Sequence, residues 1–294
     1  MKYLSIIGSI LLIALTMGCS EKQSIYEYKE TKNLVGLVND AADLIAKKGD
    51  KAFDEFNRRG TKWRHDNVYI LVYDKDKEIR LVYPPHPEKI GEKMSAIIDP
   101  NGKPIGKWFL EQANDKEHGN EGWVFYQWAK PGTKKLSWKA AFSKLAVDAS
   151  GRQYIVSSGI YDFKTEKMFI EGLVNEAAEL IGKHGRDAFS TFNERSGKFL
   201  FRDFYIFVSD EKGNMLVNSV FQDLVGKNVF NMKDPTGKYF VREFINAALL
   251  KGSGWVNYLW PKPGAEFTSE KSTYVKSAKF GNETFIVGAG YYKD

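Results

Sequence analysis

The chain has 294 residues, of which 43% are hydrophobic and 14% aromatic, with a formal net charge of +6. This length fits about two domains, and the composition excludes a largely disordered protein. The lysines are spread along the chain rather than gathered in a stripe, which excludes a nucleic-acid-binding surface; a mild positive field serves solubility, or favours anionic ligands or an anionic membrane.

Lys2 opens a short positive start, and Tyr3 to Met17 is a run of apolar and small residues. The run is short of the roughly 20 residues of a membrane span and has the size of a signal-peptide core. It ends in Leu15-Thr-Met-Gly-Cys19-Ser20. Cys19 is the single cysteine, so it makes no internal disulfide and no Cys-based metal site. In this position it resembles the lipid acceptor of a bacterial lipobox, although Thr16 stands where leucine is usual; an ordinary secretory signal is the competing reading. Residues 1–18 are therefore expected to be a lipoprotein signal peptide, Cys19 the lipidation site, and residues 19–32 a polar tether. Several acyl chains, at ~0.8 kcal/mol per buried methylene, would hold the protein on a membrane. The expected location is the bacterial cell envelope, lipid-anchored and facing the periplasm or exterior.

The remainder is one module used twice. Leu37–Asn57 and Leu173–Asn193 share 13 of 21 positions at an offset of 136, and self-similarity of this kind decides the architecture before propensity does. Apolar residues at Leu34, Leu37, Val38, Ala41, Leu44 and Ile45 have helical spacing, and Gly49 and Gly185 mark matching breaks. Asn67–Asp74 and Asp203–Asp210 are β-branched and aromatic, hence strands. Asp74–Glu78 lacks the central glycine and terminal glutamate of a calcium loop and reads as a turn. Asp-Pro-x-Gly turns at Asp99 and Asp234 precede second helices at about Trp108–Asn114 and Tyr239–Leu250. Three strands close each module: one opening at Gly122 or Gly254, then Ser137–Val147 or Lys271–Lys279, then Tyr154–Tyr161 or Phe285–Tyr292. The expected fold class is α+β, a long N-terminal helix on an antiparallel sheet, with module 1 at 33–163 and module 2 at 168–294.

The most unusual stretch is Gly254-Trp-Val-Asn-Tyr-Leu-Trp-Pro-Lys-Pro-Gly264, echoed at Gly122–Gly132. Alternation puts Val256, Tyr258 and Trp260 on one face and Trp255, Asn257 and Leu259 on the other. With Phe192-Asn193, Tyr205–Val208, Val225-Gly-Lys227, Asp234–Tyr239, Lys271–Tyr274 and Val287–Tyr291, the set resembles the Cache family of extracytoplasmic sensor modules, of the single-Cache type. The resemblance implies two PAS-like modules, each with a ligand pocket on the front of its sheet, and ligands that are often small carboxylates. Most relatives carry a membrane helix and a signalling domain, and the sequence shows neither. Copy one departs from copy two at Ala129, at Trp138-Lys-Ala-Ala141, in the insertion Asn114–Glu121 and at Pro84–Pro87, so it is expected to bind something different, or nothing.

A carboxylate needs charge-assisted donors, which lysine and tyrosine supply. The candidate ligand-binding residues in module 2 are Tyr258, Trp260, Lys271 and Tyr274, with Tyr205 as a wall. In module 1 they are Tyr69, Tyr126, Trp128 and Lys139, with Phe142 where Tyr274 stands. The competing reading makes the rings core and the lysines solvent-facing. Trp123 and Trp255 read as core against the long helices. The four histidines are scattered, and there is no nucleophile elbow, phosphate loop or metal spacing, so neither catalysis nor a metal or cofactor is expected. The expected function is binding of a C2–C4 carboxylate, with the membrane and a membrane signalling or transport protein as partners. The alternative is a structural or docking lipoprotein whose modules make protein contacts without ligand.

Overall fold

A computed structural model describes residues 25–293. The expected signal peptide, Cys19 and the first part of the expected tether lie outside the described residues.

Module 1 runs α1 (Lys29–Lys48), α2 (Phe53–Asn57), β1 (Arg64–His65), β2 (Val68–Tyr69), β3 (Leu71–Asp74), β4 (Ile79–Val82), α3 (Ile105–Asn114), β5 (Glu121–Ala129), β6 (Leu136–Val147) and β7 (Gln153–Tyr161). Module 2 repeats it as α4 (Lys167–His184), α5 (Phe189–Phe192), β8 (Leu200–Phe201), β9 (Phe204–Tyr205), β10 (Phe207–Asp210), β11 (Met215–Asn218), α6 (Phe240–Lys251), β12 (Ser253–Pro261), β13 (Thr268–Phe280) and β14 (Glu283–Tyr292). Each module has a five-stranded antiparallel sheet, ordered β4-β3-β7-β6-β5 and β11-β10-β14-β13-β12. The α+β architecture of two PAS-like modules follows. No described helix is long and apolar enough to cross a membrane.

The long helix covers one face of each sheet. Leu34, Val38, Ala41 and Ile45 of α1 pack on Val72, Phe142 and Val156; Ile170, Val174, Ala177 and Ile181 of α4 pack on Val208, Phe285 and Val287. The short helices α3 and α6 cover part of the opposite face. The expected helix break is present: Gly49 and Gly185 carry φ of 58° and 59°, which L side chains rarely adopt, and a 3-10 turn follows each.

Residues 29–32, expected in the tether, belong to α1. The chain ahead of them is pinned: Glu166, fully buried at the junction between the modules, accepts hydrogen bonds from the backbone N–H groups of Glu27 and Tyr28 at 2.6 and 3.0 Å. Asp74 caps its own turn, accepting from the Lys77 N–H and from Arg152. The strand expected over Asn67–Asp74 is broken at Ile70, but Tyr69 still shares the front face with Leu71 and Tyr73 of β3.

The modules share a core. Phe125 of β5 stacks on Phe201 of β8 at 4.4 Å and 2°, and Trp123 meets Phe169 of α4 at 4.7 Å. The Lys103 ammonium, 1% exposed as a residue, donates to the carbonyls of Gly197 and Leu200.

Candidate functional site

Direct register partners in an antiparallel sheet point to the same face. Tyr258, Lys271 and Tyr292 form such a row across β12, β13 and β14, and Tyr126, Lys139 and Tyr161 form its equivalent. Both rows face away from the long helix.

Both lysines are 1% exposed. The Lys139 ammonium donates to the Tyr69 hydroxyl at 2.8 Å and lies between the rings of Tyr69 and Tyr161, 4.3 and 4.8 Å from their centroids. Lys271 does the same with Tyr205, at 2.7 Å, between Tyr205 and Tyr292 at 4.2 and 4.9 Å. Neither forms an ion pair among the described residues. Burial pushes each down to about 7. The phenols move the other way: burial holds Tyr69 and Tyr205 well above their ordinary value, so both stay protonated.

The proton order in module 1 is determined. Tyr161 donates to the Ala129 carbonyl at 3.0 Å, so Tyr69 donates to Tyr161, also at 3.0 Å, and accepts from Lys139. The module 2 counterpart of Tyr161, Tyr292, donates to the Pro261 carbonyl at 2.5 Å.

Each module has a cavity beside this row. That of module 2 measures about 30 Å³ and that of module 1 about 10 Å³, where one enclosed water needs ~10–15 Å³. In module 2, Tyr205, Tyr258 and Trp260 line the cavity, with Met215, Met232 and Val229 among its apolar walls. Lys271 does not line it directly and reaches it through Tyr205. In module 1 all four expected residues, Tyr69, Tyr126, Trp128 and Lys139, line one cavity.

Tyr274 is a correction. It pairs with Trp255, three residues from Lys271 along a continuous strand, and so sits on the opposite face. Its ring packs on Trp255 at 5.4 Å in the core beneath α4 and is no part of the site. Phe142, at the equivalent position, is core under α1. Trp255 lies on the helix side, where its Nε1–H donates to Glu171 at 2.7 Å.

Sequence reasoning missed Arg80. By simple alternation Arg80 shares a face with Val82, which packs under α1. A β-bulge changes this: Val72 pairs with Val82 but Tyr73 with Arg80, so Arg80 turns into the module 1 cavity. Its guanidinium lies 4.4 Å from the Tyr83 ring centroid and pairs with Glu92 at 2.6 Å. The same bulge turns Met215 into the module 2 cavity. A buried arginine in a strand that otherwise reads Ile-x-Leu-Val was the available signal.

Residues 49–166 match the family described as Single Cache domain 2, and residues 194–294 match one described as Cache domain. The chain is a tandem of two Cache modules. The second match carries the general Cache description rather than the single-Cache one. Over 92 residues the chain is 30% identical to the methyl-accepting chemotaxis protein McpP of Pseudomonas putida; this covers 31% of the chain and 16% of that protein, so the Cache tandem spans a small part of that relative. A solved Cache chemosensory domain, described for its carboxylic acid recognition, is 25% identical over 44% of this chain and 93% of its own, with a TM-score of 0.38. A periplasmic sensor domain of a chemotaxis protein is 28% identical over 42% of this chain and 88% of its own, with a TM-score of 0.35.

Proposed function

We propose that this Cache tandem is an extracytoplasmic ligand-binding sensor protein, and that module 2 binds a short aliphatic carboxylate of two to four carbons. The observation that carries this reading is Lys271: an ammonium buried among rings that, among the described residues, has a phenol for its one hydrogen-bond partner and no carboxylate within ion-pair distance. Burying an unpaired cation is costly, and a ligand carboxylate would supply the missing charge. Tyr205 connects the two, since its oxygen accepts from Lys271 and its side chain lines the cavity. The carboxylate would sit at Tyr205 and Trp260, and the alkyl tail against Met215, Val229 and Met232. No bond of the ligand needs to be made or broken. Four heavy atoms at a ceiling of about 1.5 kcal/mol each give about 6 kcal/mol, a dissociation constant in the tens of micromolar at best. Attachment through lipid on Cys19, with output through a membrane signalling or transport partner, completes the proposal.

Calorimetric titration with propionate and with propionamide tests it. Propionate should release heat with the wild-type chain and none with Lys271→Met, and propionamide none with either. Equal binding of the amide would contradict a role for charge.

A further inference from the structure

We infer that module 1 is a second anion site of different selectivity, set by Arg80, which takes a two- or three-carbon acid bearing a second oxygen function, a 2-hydroxy or 2-oxo acid. This rests on the reading that the cavities bind small carboxylates. The two cavities share a lysine–tyrosine base and differ in the wall opposite it. Where module 1 has Tyr73, Arg80 and Tyr83, module 2 has Ser209, Met215 and Asn218.

Arg80 is 2% exposed, and its Nε–H is buried without a hydrogen-bond partner among the described residues. Glu92 occupies Nη1, and the stacked Tyr83 ring fixes the plane of the guanidinium. An orphaned donor on a buried cation is costly, on the order of 1–3 kcal/mol, and an acceptor placed in the cavity removes that cost. The cavity thus offers cationic N–H donors from two directions, Arg80 on β4 and Lys139 on β6. The Tyr69 proton is already committed to Tyr161.

An acid with one charged end and an alkyl tail satisfies the lysine side and leaves Arg80 Nε unmet. One with a second oxygen satisfies both. In module 2 Met215 replaces Arg80, so that second oxygen would find only the neutral donors of Ser209 and Asn218 and no cationic N–H to replace its hydration. The Asn218 carbonyl oxygen accepts from the backbone N–H groups of Val220 and Phe221, which leaves its uncharged amide N–H as the donor on this side. At about 10 Å³ the cavity is water-sized, so the acid must move a wall. Tyr83 is the wall nearest an exposed stretch, residues 86–91, and moving it would break the 3.0 Å hydrogen bond that its hydroxyl accepts from Trp128 Nε1–H.

The test is calorimetric titration of the purified full chain with glycolate and with propionate, in wild type, Arg80→Met and Lys271→Met. Glycolate binding should survive Lys271→Met and weaken about tenfold or more in Arg80→Met, the effect of one charge-assisted hydrogen bond. Propionate binding should do the reverse. Should Arg80→Met fail to fold, Arg80→Lys keeps the charge and the reach to Glu92 while removing Nε, and is read in the same way. Glycolate binding indifferent to Arg80 means that water alone meets Nε and overturns the inference. Loss of both acids in Lys271→Met places them in one site and overturns it too. In either case the carboxylate reading stands. No heat with either acid in the wild-type chain removes that reading itself.

Discussion

The buried lysines carry the strongest consequences at the scale of the residue. Each has its affinity for protons depressed to about 7 by burial, against 10.5 ordinarily. Below about pH 7 the ammonium is charged in both folded and unfolded chains, and its burial cost is felt in full. Between about 7 and 10.5 the unfolded chain holds a proton that the folded chain has released, so stability rises with pH. Lys103, pushed down to about 8, adds to the same trend. Above about 10 the trend reverses, because Tyr69 and Tyr205 keep protons that the unfolded chain loses. Unfolding followed across this range without ligand should show rising melting temperature from pH 7 to about 9.5. Ligand affinity should run the other way, because a carboxylate needs the charged lysine. Lys271→Met should raise the melting temperature of the unliganded chain by a few degrees, corresponding to about 1 kcal/mol. A lower melting temperature would mean that the ammonium is well compensated as it stands.

The same scale shows what was legible in the sequence and what was not. Tyr258, Trp260 and Lys271 follow from strand alternation, and so does their placement on one face. Tyr274 could have been excluded by the same rule, because an odd spacing from Lys271 along an unbroken strand puts it on the other side. Arg80 could not be placed that way. Its direction depends on a bulge, which adds one residue to β4 and leaves no mark in composition.

At the scale of elements, helices and strands were legible because the repeat gave two independent readings of each. Boundaries moved by a few residues: α3 starts at Ile105, since the chain turns into a helix directly after the Asp99–Lys103 turn, and β13 extends to Thr268–Phe280 because its partners on both sides are long. The glycines of β7 and β14 have a role that strand propensity hides. A methyl at Gly290 would lie 2.3 Å from Thr273 Oγ1, 2.6 Å from the Ser272 carbonyl and 3.0 Å from Lys271 Cε. At Gly159 it would lie 2.4 Å from Lys139 Cε. These strands carry no side chain there because the lysine shaft crosses above them. Gly290→Ala should therefore destabilise by about 1–3 kcal/mol through overpacking, measured by denaturant unfolding. It should also weaken carboxylate binding, because the Lys271 shaft is among the neighbours that must move. Unchanged unfolding would mean that the sheet absorbs the methyl group.

At the scale of the molecule, the modules are joined by more than a linker. Lys103 lies two residues ahead of α3, whose Ile105 and Phe109 line the module 1 cavity, and it bonds to Gly197 and Leu200 of module 2. Phe125 and Trp138 pack on Phe201 across the boundary. The equivalent outward positions in module 2 are Asn257 and Glu270, both exposed. A repeat face that packs on no other module among the described residues is polar, as on uncovered faces of repeat proteins. That explains departures of copy one, Trp138 above all, which sequence comparison alone left without a reason. The wild-type chain should unfold in one cooperative transition, and Phe201→Ala combined with Lys103→Met should split it in two, read by calorimetry. A single undisplaced transition in the double variant would mean that the boundary contributes little.

The account stands on a carboxylate reaching the buried cation of module 2, and a crystal structure of the chain grown with propionate sees this directly. Its carboxylate should lie within hydrogen-bond distance of the Tyr205 hydroxyl or the Lys271 ammonium, with the alkyl tail against Met215 and Met232. A ligand bound elsewhere, or a cavity still closed around Tyr258 at saturating propionate, would contradict it.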